Sequence, residues 1–424
     1  MRRRYHTEVV SPFMPEPAKI AAIRDLLPAT AAGIYLNAGT AGPLPAEVRR
    51  AMDAETDREL AIGRAHADLW PDTLERMAEA RASVAAALVA DPDDIALTHS
   101  TTDGMNLAIQ SLPWRPGDRA VTTTREHAGG LGPLFALRDR LGVEIELVDL
   151  GDDGDDDAAL AALGRALERP ARAVVVSHVP YATGALVPIA RIGALARSAG
   201  AVTIVDGAQA AGAFPVALDE LGVDAYAIPA QKWLLGPEGM GALWVRRELA
   251  IATDPIVGGY LSYAAFDPAG HGRRHDGARR FEATGFHRPS VVGFARAVGW
   301  LTMFVGLAWS QDRAARLAAG LADRLGSIPG VTLVTPRVRM ATLVSFRIAG
   351  WTAGAVASEL GARVFAIVRE VADVDAVRAA VGFWNTEPEL DRFADAVELL
   401  ARHTPESLPP RRTLALLGDE PPLR

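Results

Sequence analysis

Cysteine does not occur anywhere in the 424 residues. Its absence excludes disulfides, thiolate metal sites, a cysteine nucleophile and any sulfur carried on the protein as a persulfide. Lysine is almost absent. It stands only at positions 19 and 232, while the other 42 of the 44 basic residues are arginine. An arginine stays protonated, whereas a lysine can lose its proton and add to a carbonyl. Lys232 is therefore a candidate for amine chemistry, with chance survival in a biased composition as the plain alternative. No apolar stretch approaches ~20 uninterrupted residues, the length of a membrane-spanning helix. The opening MRRRYHTEVV is followed by no apolar run of signal-peptide length. Excess positive charge is missing too: the formal net charge is −8, which gives no general basic field for nucleic acid. These absences lead us to expect a soluble cytoplasmic enzyme with neither a nucleic-acid nor a membrane partner.

What is present is a large apolar fraction, 49%, enough for a big core and for two domains. IALTH near 95, DRAVTTT near 118, VEIELVDL near 143, ARAVVVSH near 171, AVTIVDGA near 201 and VDAYAIP near 223 read as strands. Most are continuous apolar runs, as in strands covered on both faces. Segments such as ALAALGRALERP and IARIGALARSAG between them have helical spacing with Gly or Pro stops. The alternation predicts an α/β domain with a mainly parallel sheet. GALWVRR near 241 follows too closely for a crossover helix and is expected antiparallel. Further on, a long Ala/Arg helix is expected over 286–325. VTLVTP, MATLVSFRIAG, a helix near 352–361, VFAIVRE and a last helix from about 386 to 402 then suggest a small α+β domain. The acidic run near 151 reads as a solvated loop entering a helix, and the Pro-rich end as a surface extension.

Three features carry chemistry. THSTTDGMNLAIQSL places Ser100, Thr101 and Thr102 at a strand end, just before a helix. Free amides, hydroxyls and the positive helix end suit a phosphate, although an ordinary N-cap has the same appearance. VTIVDGAQAAG puts Asp206 at the end of a buried strand with Gln209 three residues on, in position for a ligand beyond the sheet or for a simple turn. Lys232, in AIPAQKWLLGPEG, follows 26 residues after Asp206, beyond one more strand. Phosphate seat, carboxylate and amine at successive strand ends are what pyridoxal phosphate needs. The amine forms a Schiff base, and the carboxylate keeps the pyridine nitrogen protonated so that the ring accepts electrons.

Between YLNAGTAGPLP near 35 and VGFWNTEPELDRF near 381, the sequence resembles the class V aminotransferase family of fold-type I pyridoxal-phosphate enzymes, which includes cysteine desulfurases, C–S lyases and isopenicillin N epimerase-like proteins. The resemblance implies an α/β fold with a large, mainly parallel (mixed) seven-stranded sheet domain and a small α+β C-terminal domain. The implied division is an N-terminal segment 1–32 packing with the small domain, a large cofactor-binding domain 33–300 and a small domain 301–424 with its Pro-rich tail. It also implies roles. Lys232 would be the Schiff-base lysine and proton shuttle, Asp206 the partner of the pyridine nitrogen, Gln209 that of the phenolic oxygen. His127, in TTTREHAGG, would stack on the ring. Ser100, Thr101, Thr102 and Gln231 would hold the phosphate. Thr284, in FEATGFHRP, would reach the neighbouring subunit's phosphate, although its order with Gly285 is reversed from the usual one. Arg378 would bind the substrate carboxylate as a two-toothed fork, and Arg369 resembles a second arginine of the lyase branch. Tyr181 would line the pocket, and Asn37 with Thr40 would lie near the substrate entrance. A homodimer with sites at its interface is implied, with a small amino acid as substrate.

A desulfurase that captures sulfur on its own cysteine is excluded. β-Elimination needs only a base, a carboxylate clamp and room for the leaving group, so the reading favours a C–S lyase acting on cysteine or a cysteine derivative. An aminotransferase or an epimerase is the alternative. A catalytically degenerate binding protein is the reading from outside enzymology.

Overall fold

In the computed structural model, residues 13–151 and 154–411 are described. The opening decapeptide, residues 152–153 of the acidic run and the end of the tail from 412 lie outside the described residues. Helix α1 (Glu16–Leu26), strand β1 (Ile34–Tyr35) and helices α2 (Ala46–Ile62) and α3 (Leu69–Leu88) lead into the large sheet. Its strands are β2 (Ile95–Thr98), β3 (Arg119–Thr123), β4 (Glu144–Val148), β5 (Ala173–Ser177), β6 (Val202–Asp206), β7 (Ala225–Pro229) and β8 (Gly241–Val245). Their spatial order is β2-β8-β7-β6-β5-β3-β4. Only β8 runs against its neighbours, because the short turn from β7 leaves no room for a crossover. Strands β2, β3, β5, β7 and β8 are buried at every position, which explains their continuous apolar sequences. Helices α4 (Thr101–Gln110), α5 (Ala128–Leu141), α6 (Asp156–Ala166) and α7 (Ile189–Ser198) follow β2, β3, β4 and β5. Each βα turn therefore opens at the same edge of the sheet, the edge where ligands bind in such folds.

Helix α8 (Arg247–Ala252) and a hairpin of β9 (Tyr263–Phe266) and β10 (Gly272–Arg274) come next. The single helix expected over 286–325 is instead two: α9 (Arg288–Gly299), continued by a π-helical turn at Trp300–Val305, and α10 (Leu307–Gly326), set at 82° to that first limb. Gly306 makes the corner with φ +83°, a conformation other residues avoid. The bend lets α9 pack on α2 and α3 while α10 turns to the second sheet. That sheet holds β11 (Val331–Leu333), β12 (Leu343–Ile348), β14 (Arg369–Val371) and β15 (Ala376–Ala380) in the order β11-β12-β15-β14, all antiparallel. Helices α11 (Ala353–Val364) and α12 (Glu387–Ala401) cover it, and β13 (Ala366–Ile367) pairs with β1. Strand β15 is absent from the sequence expectations, and VFAIVRE is two short strands with different partners rather than one. Ile34 and Leu36 join the apolar core of this second unit, and Arg24 of α1 reaches Glu389 at 2.6 Å. Among the described residues, no single helix is long and apolar enough to cross a membrane.

Candidate active site

A cavity of about 220 Å³ lies where the βα edge of the large sheet meets the second sheet. Its walls include Gly39, Thr40, Ser100, Thr101, Thr102, His127, Tyr181, Asp206, Ala208, Gln209, Gln231, Lys232, Arg369 and Arg378. All the expected site residues are thus brought together except Asn37 and Thr284.

Each arrives by a local rule. Ser100 caps α4, its hydroxyl oxygen accepting from the Asp103 amide at 3.1 Å, while Asp103 takes the His99 amide at 2.9 Å. The amides at the start of α4 have no helical acceptor and face outward, which makes a seat for an anion. His127 caps α5 in the same way, its Nδ1 accepting from Gly129 N–H at 3.0 Å. That contact fixes the neutral tautomer with its proton on Nε2. Gly129 is glycine because a Cβ would lie 2.6 Å from Thr102 Oγ1, so the two helix starts can close on each other. The imidazole stands edge-on to Tyr181, ring centres 5.2 Å apart, and burial, with Lys232 next, lowers its pKa.

Asp206 ends β6, buried, with one oxygen accepting from Ala208 N–H at 2.8 Å. Gln209 is pinned from two sides, donating to Gly39 O at 2.8 Å and accepting from Trp233 Nε1 at 3.2 Å. Lys232 follows β7 in a turn closed by Gly236 N–H to Ala230 O at 2.8 Å, with Leu235 in the left-handed region at φ +55°. The 39–42 segment seals this turn, Gly42 N–H donating to Gln231 O at 2.7 Å. Burial brings the Lys232 amine down to about 8, with Asp206 opposing and Arg378 and Arg369 adding to the fall.

The second sheet supplies the cations. Arg369 on β14 and Arg378 on β15 are paired in register, so both project from one face. Arg378 is 2% exposed. Its Nη1 donates to Tyr181 O at 2.9 Å and its Nη2 to Thr40 Oγ1 at 3.4 Å, and its Nε is buried with no hydrogen-bond partner among the described residues. Burial, with Arg369 next to it, draws its pKa down to about 10. Tyr181 donates its hydroxyl to Asp373 across the seam between the two units. Burial and that bond push the phenol up to about 12.

Asn37 stands one step behind the wall: its Oδ1 accepts from Thr40 Oγ1 at 2.9 Å, and its backbone pairs with Ala380. Thr284 is exposed, on a turn whose next amide, of Gly285, donates to Tyr260 OH at 2.9 Å, so it takes no part in this chain's own cavity. Sequence reasoning missed Gly39, Ala208, Asp373 and, beneath the wall, Glu126. The pattern that singled out Asp206, a carboxylate at the end of a buried strand, applies only loosely to Glu126 in TTTREH, three residues past the end of β3.

The donor set fits pyridoxal phosphate. A capped helix start with two threonines in its first turn suits the phosphate, and beside it Gln231 Oε1 is buried without a partner among the described residues, so its amide is free to turn toward an anion. A buried carboxylate and a half-buried amine stand at adjacent strand ends. Fold and site together define a pyridoxal-phosphate-dependent enzyme of fold type I. The sequence matches the aminotransferase class-V family over residues 34–393, and the chain belongs to that family. It is 30% identical over 413 residues to a probable cysteine desulfurase of Xylella fastidiosa (strain Temecula1 / ATCC 700964), covering 93% of this chain and 98% of the relative. Its fold superposes with TM-score 0.82 and 26% identity on the cystine C–S lyase C-DES in complex with its reaction product cysteine persulfide, covering 88% of this chain and 99% of that one. An apo cysteine desulfurase from Thermococcus onnurineus NA1 superposes with TM-score 0.80 and 26% identity, covering 90% and 98%.

Proposed function

We propose that this protein is a C–S lyase that carries out β-elimination on cysteine or a cysteine derivative. The observation that carries this reading is that Lys232 and the buried guanidinium of Arg378, which has no acidic partner among the described residues, line one cavity in a chain that has no cysteine to accept sulfur. Pyridoxal phosphate, when bound, supplies the electron sink for the carbanion at the substrate α-carbon. Asp206 would face its ring nitrogen, His127 would cover the ring face, and Gln209 would meet the phenolic oxygen. Ser100, Thr101, Thr102 and Gln231 would hold the phosphate.

Arg378 clamps the substrate α-carboxylate through the N–H groups its protein contacts leave free, a charge-assisted contact in a dry setting. This fixes the α-C–H toward Lys232. A lysine amine brought down to about 8 is substantially neutral in mildly alkaline solution, so it can accept that proton. The Cβ–S bond then breaks, its electron pair leaving with sulfur, and the proton held by Lys232 is available to the departing group. Hydrolysis of the remaining three-carbon unit gives pyruvate and ammonia. Arg369, more exposed at the same face, is available to a second anionic group on the substrate.

A homodimer with the site at its interface accompanies this reading. The exposed Trp70 and Tyr260 contact each other at 5.7 Å between ring centres, Tyr260 holds the Thr284–Gly285 turn, and Phe286 stacks on His99 beside the phosphate seat. These contacts form a continuous surface from the cavity rim to Thr284, suited to a second copy.

The test is to incubate the cofactor-loaded protein with cystine, cysteine, cysteine S-conjugates and simple amino acids. Pyruvate, ammonia and released sulfur are measured beside keto-acid-dependent transfer. Stoichiometric pyruvate and sulfur are expected. Amino transfer without pyruvate makes it an aminotransferase, and inversion at Cα without either makes it an epimerase.

A further inference from the structure

One indole behind the site has no role in the scheme above. Trp233 follows Lys232 directly in the chain, yet it is buried and stands behind the cavity wall. It packs against the turn that follows β6. Gly212 of that turn, at φ +90°, is glycine because a Cβ would lie 3.0 Å from the carbonyl carbon and oxygen of Trp233 and 2.9 Å from Leu234 Cδ2. With the two turns back to back, Trp233 Nε1 reaches Gln209 and donates to its Oε1 at 3.2 Å. On the other side Gln209 Nε2 donates to Gly39 O at 2.8 Å.

These two partners decide which way round the carboxamide sits. An indole N–H can only donate, and a backbone carbonyl can only accept. The carboxamide satisfies both in one orientation, with Oε1 to Trp233 and Nε2 to Gly39. Turned over, it would set Oε1 against Gly39 O and its own N–H groups against the indole N–H, which leaves two bonds unmade in a buried place. Gln209 is 3% exposed, so water does not replace them. Gly39 O takes one N–H of Nε2, and the second is what Gln209 can offer to the cavity it lines.

We propose that Trp233 is a positioning residue that fixes the Gln209 carboxamide with a donor, not an acceptor, toward the phenolic oxygen of the bound cofactor. The proposal rests on the reading of Gln209 given above. A donor there favours the ionised oxygen, whereas a carbonyl would oppose it. Without the indole N–H, the bond to Gly39 is a single tether. Oε1 then lacks its donor and turns toward the cavity, where water is available, and the N–H loses its aim.

The experiment is a pH titration of the visible absorption band of the cofactor-loaded protein. Asp206, His127, Lys232, Arg369 and Arg378 face the same cavity and are unaltered in every protein compared. Gln209→Ala should raise the midpoint by about one pH unit, because it removes a hydrogen bond to the charged form. Trp233→Phe, which keeps an aromatic ring and loses the N–H, should give at least half of that rise, and a smaller share overturns the proposal. In a Gln209→Ala background Trp233→Phe should add nothing. A further shift there would mean that Trp233 acts through the Lys232 backbone instead, which also overturns it. Should Trp233→Phe fail to fold, the sulfur isostere of tryptophan, benzothienylalanine, at position 233 removes only the N–H and must give the same rise. In cofactor-free protein, the Trp233 indole proton signal should move upfield on Gln209→Ala, and a fixed signal denies the contact itself. A midpoint unmoved by Gln209→Ala removes the Gln209 reading and the proposal with it. None of these spectra depends on the products formed, so they fail or succeed separately from the lyase reading.

Discussion

The two lysines retained in an arginine-rich chain are retained for different reasons. The amine of Lys19 is buried 3.9 Å above the Trp309 ring, where a compact ammonium fits and a planar guanidinium presents a different shape. Lys232 faces a cavity whose two arginines help lower its proton affinity. The same cavity shows how closely one side chain can depend on a residue with none. A Cβ on Gly39 would lie 2.8 Å from Arg378 Nη2 and 2.9 Å from Cζ. Arg378 cannot retreat, because it is enclosed and tethered to Tyr181 O. Gly39→Ala is therefore expected to displace the guanidinium and raise KM for carboxylate-bearing substrates roughly 10- to 100-fold, equivalent to losing a charge-assisted hydrogen bond of ~1.5–3 kcal/mol. Steady-state kinetics beside a thermal melt would check this. A wild-type KM would show that the fork does not hold the carboxylate.

At the scale of elements, the segment that carries Thr284 is anchored by one buried ion pair. Glu282 accepts from Arg81 of α3 at 2.8 and 3.1 Å and from Leu97 N–H of β2 at 2.9 Å, and its own carbonyl accepts from Ser262. Burial raises its pKa and Arg81 resists the rise. Arg81→Ala leaves that carboxylate without its hydrogen-bonded cation, with only the charge of Arg279 and the Leu97 amide remaining, so we expect a loss of about 3 kcal/mol in denaturant unfolding. Adding Glu282→Gln should return part of it. A single variant no less stable than the double would refute the account. The elements themselves were legible where burial is two-sided: the runs AVVVS and AYAIP admit little but buried strands. Strand β15 was not, because AVRAA is short, rich in alanine and lacks the β-branched density of its neighbours. The break at Gly306 was hidden because the run also carries Gly293, Gly299 and Gly320, so nothing in sequence marks this one until tertiary packing forces the corner. Ser100, Asp206 and Lys232 could be read because strand ends and helix starts leave a mark in sequence. Glu126, in the loop between β3 and α5, leaves a weaker mark, and its contact with Ser177 depends on a strand far away in the chain.

At the scale of the whole molecule, the site exists only where two units meet. The segment 181–186 is the seam: Ala182 O and Thr183 O accept from Ser345 Oγ (2.7 Å) and Thr335 Oγ1 (2.5 Å), and Leu186 N–H donates to Arg339 O at 2.7 Å. Tyr181 extends the seam into the cavity wall through Arg378 and Asp373. Global stability and site electrostatics are consequently linked, and pH should expose the link. Glu126 has a folded pKa near 7 against an ordinary value of 4.5. Its protonated form favours the fold, so its contribution is fully present below about pH 4.5 and is lost as pH rises through 7. Lys232 has the opposite sense: lowered to about 8 from 10.5, it penalises the fold at lower pH and ceases to do so as pH rises from 8 to 10.5. Of these two groups only the first changes between pH 5 and 7, so cofactor-free wild type should lose about 2 kcal/mol of stability relative to Glu126→Gln across that window. Chemical denaturation of both proteins at stepped pH measures the difference directly. A difference that stays flat from pH 5 to 7 would mean that Glu126 is ionised throughout, with a stabilising partner elsewhere in the fold.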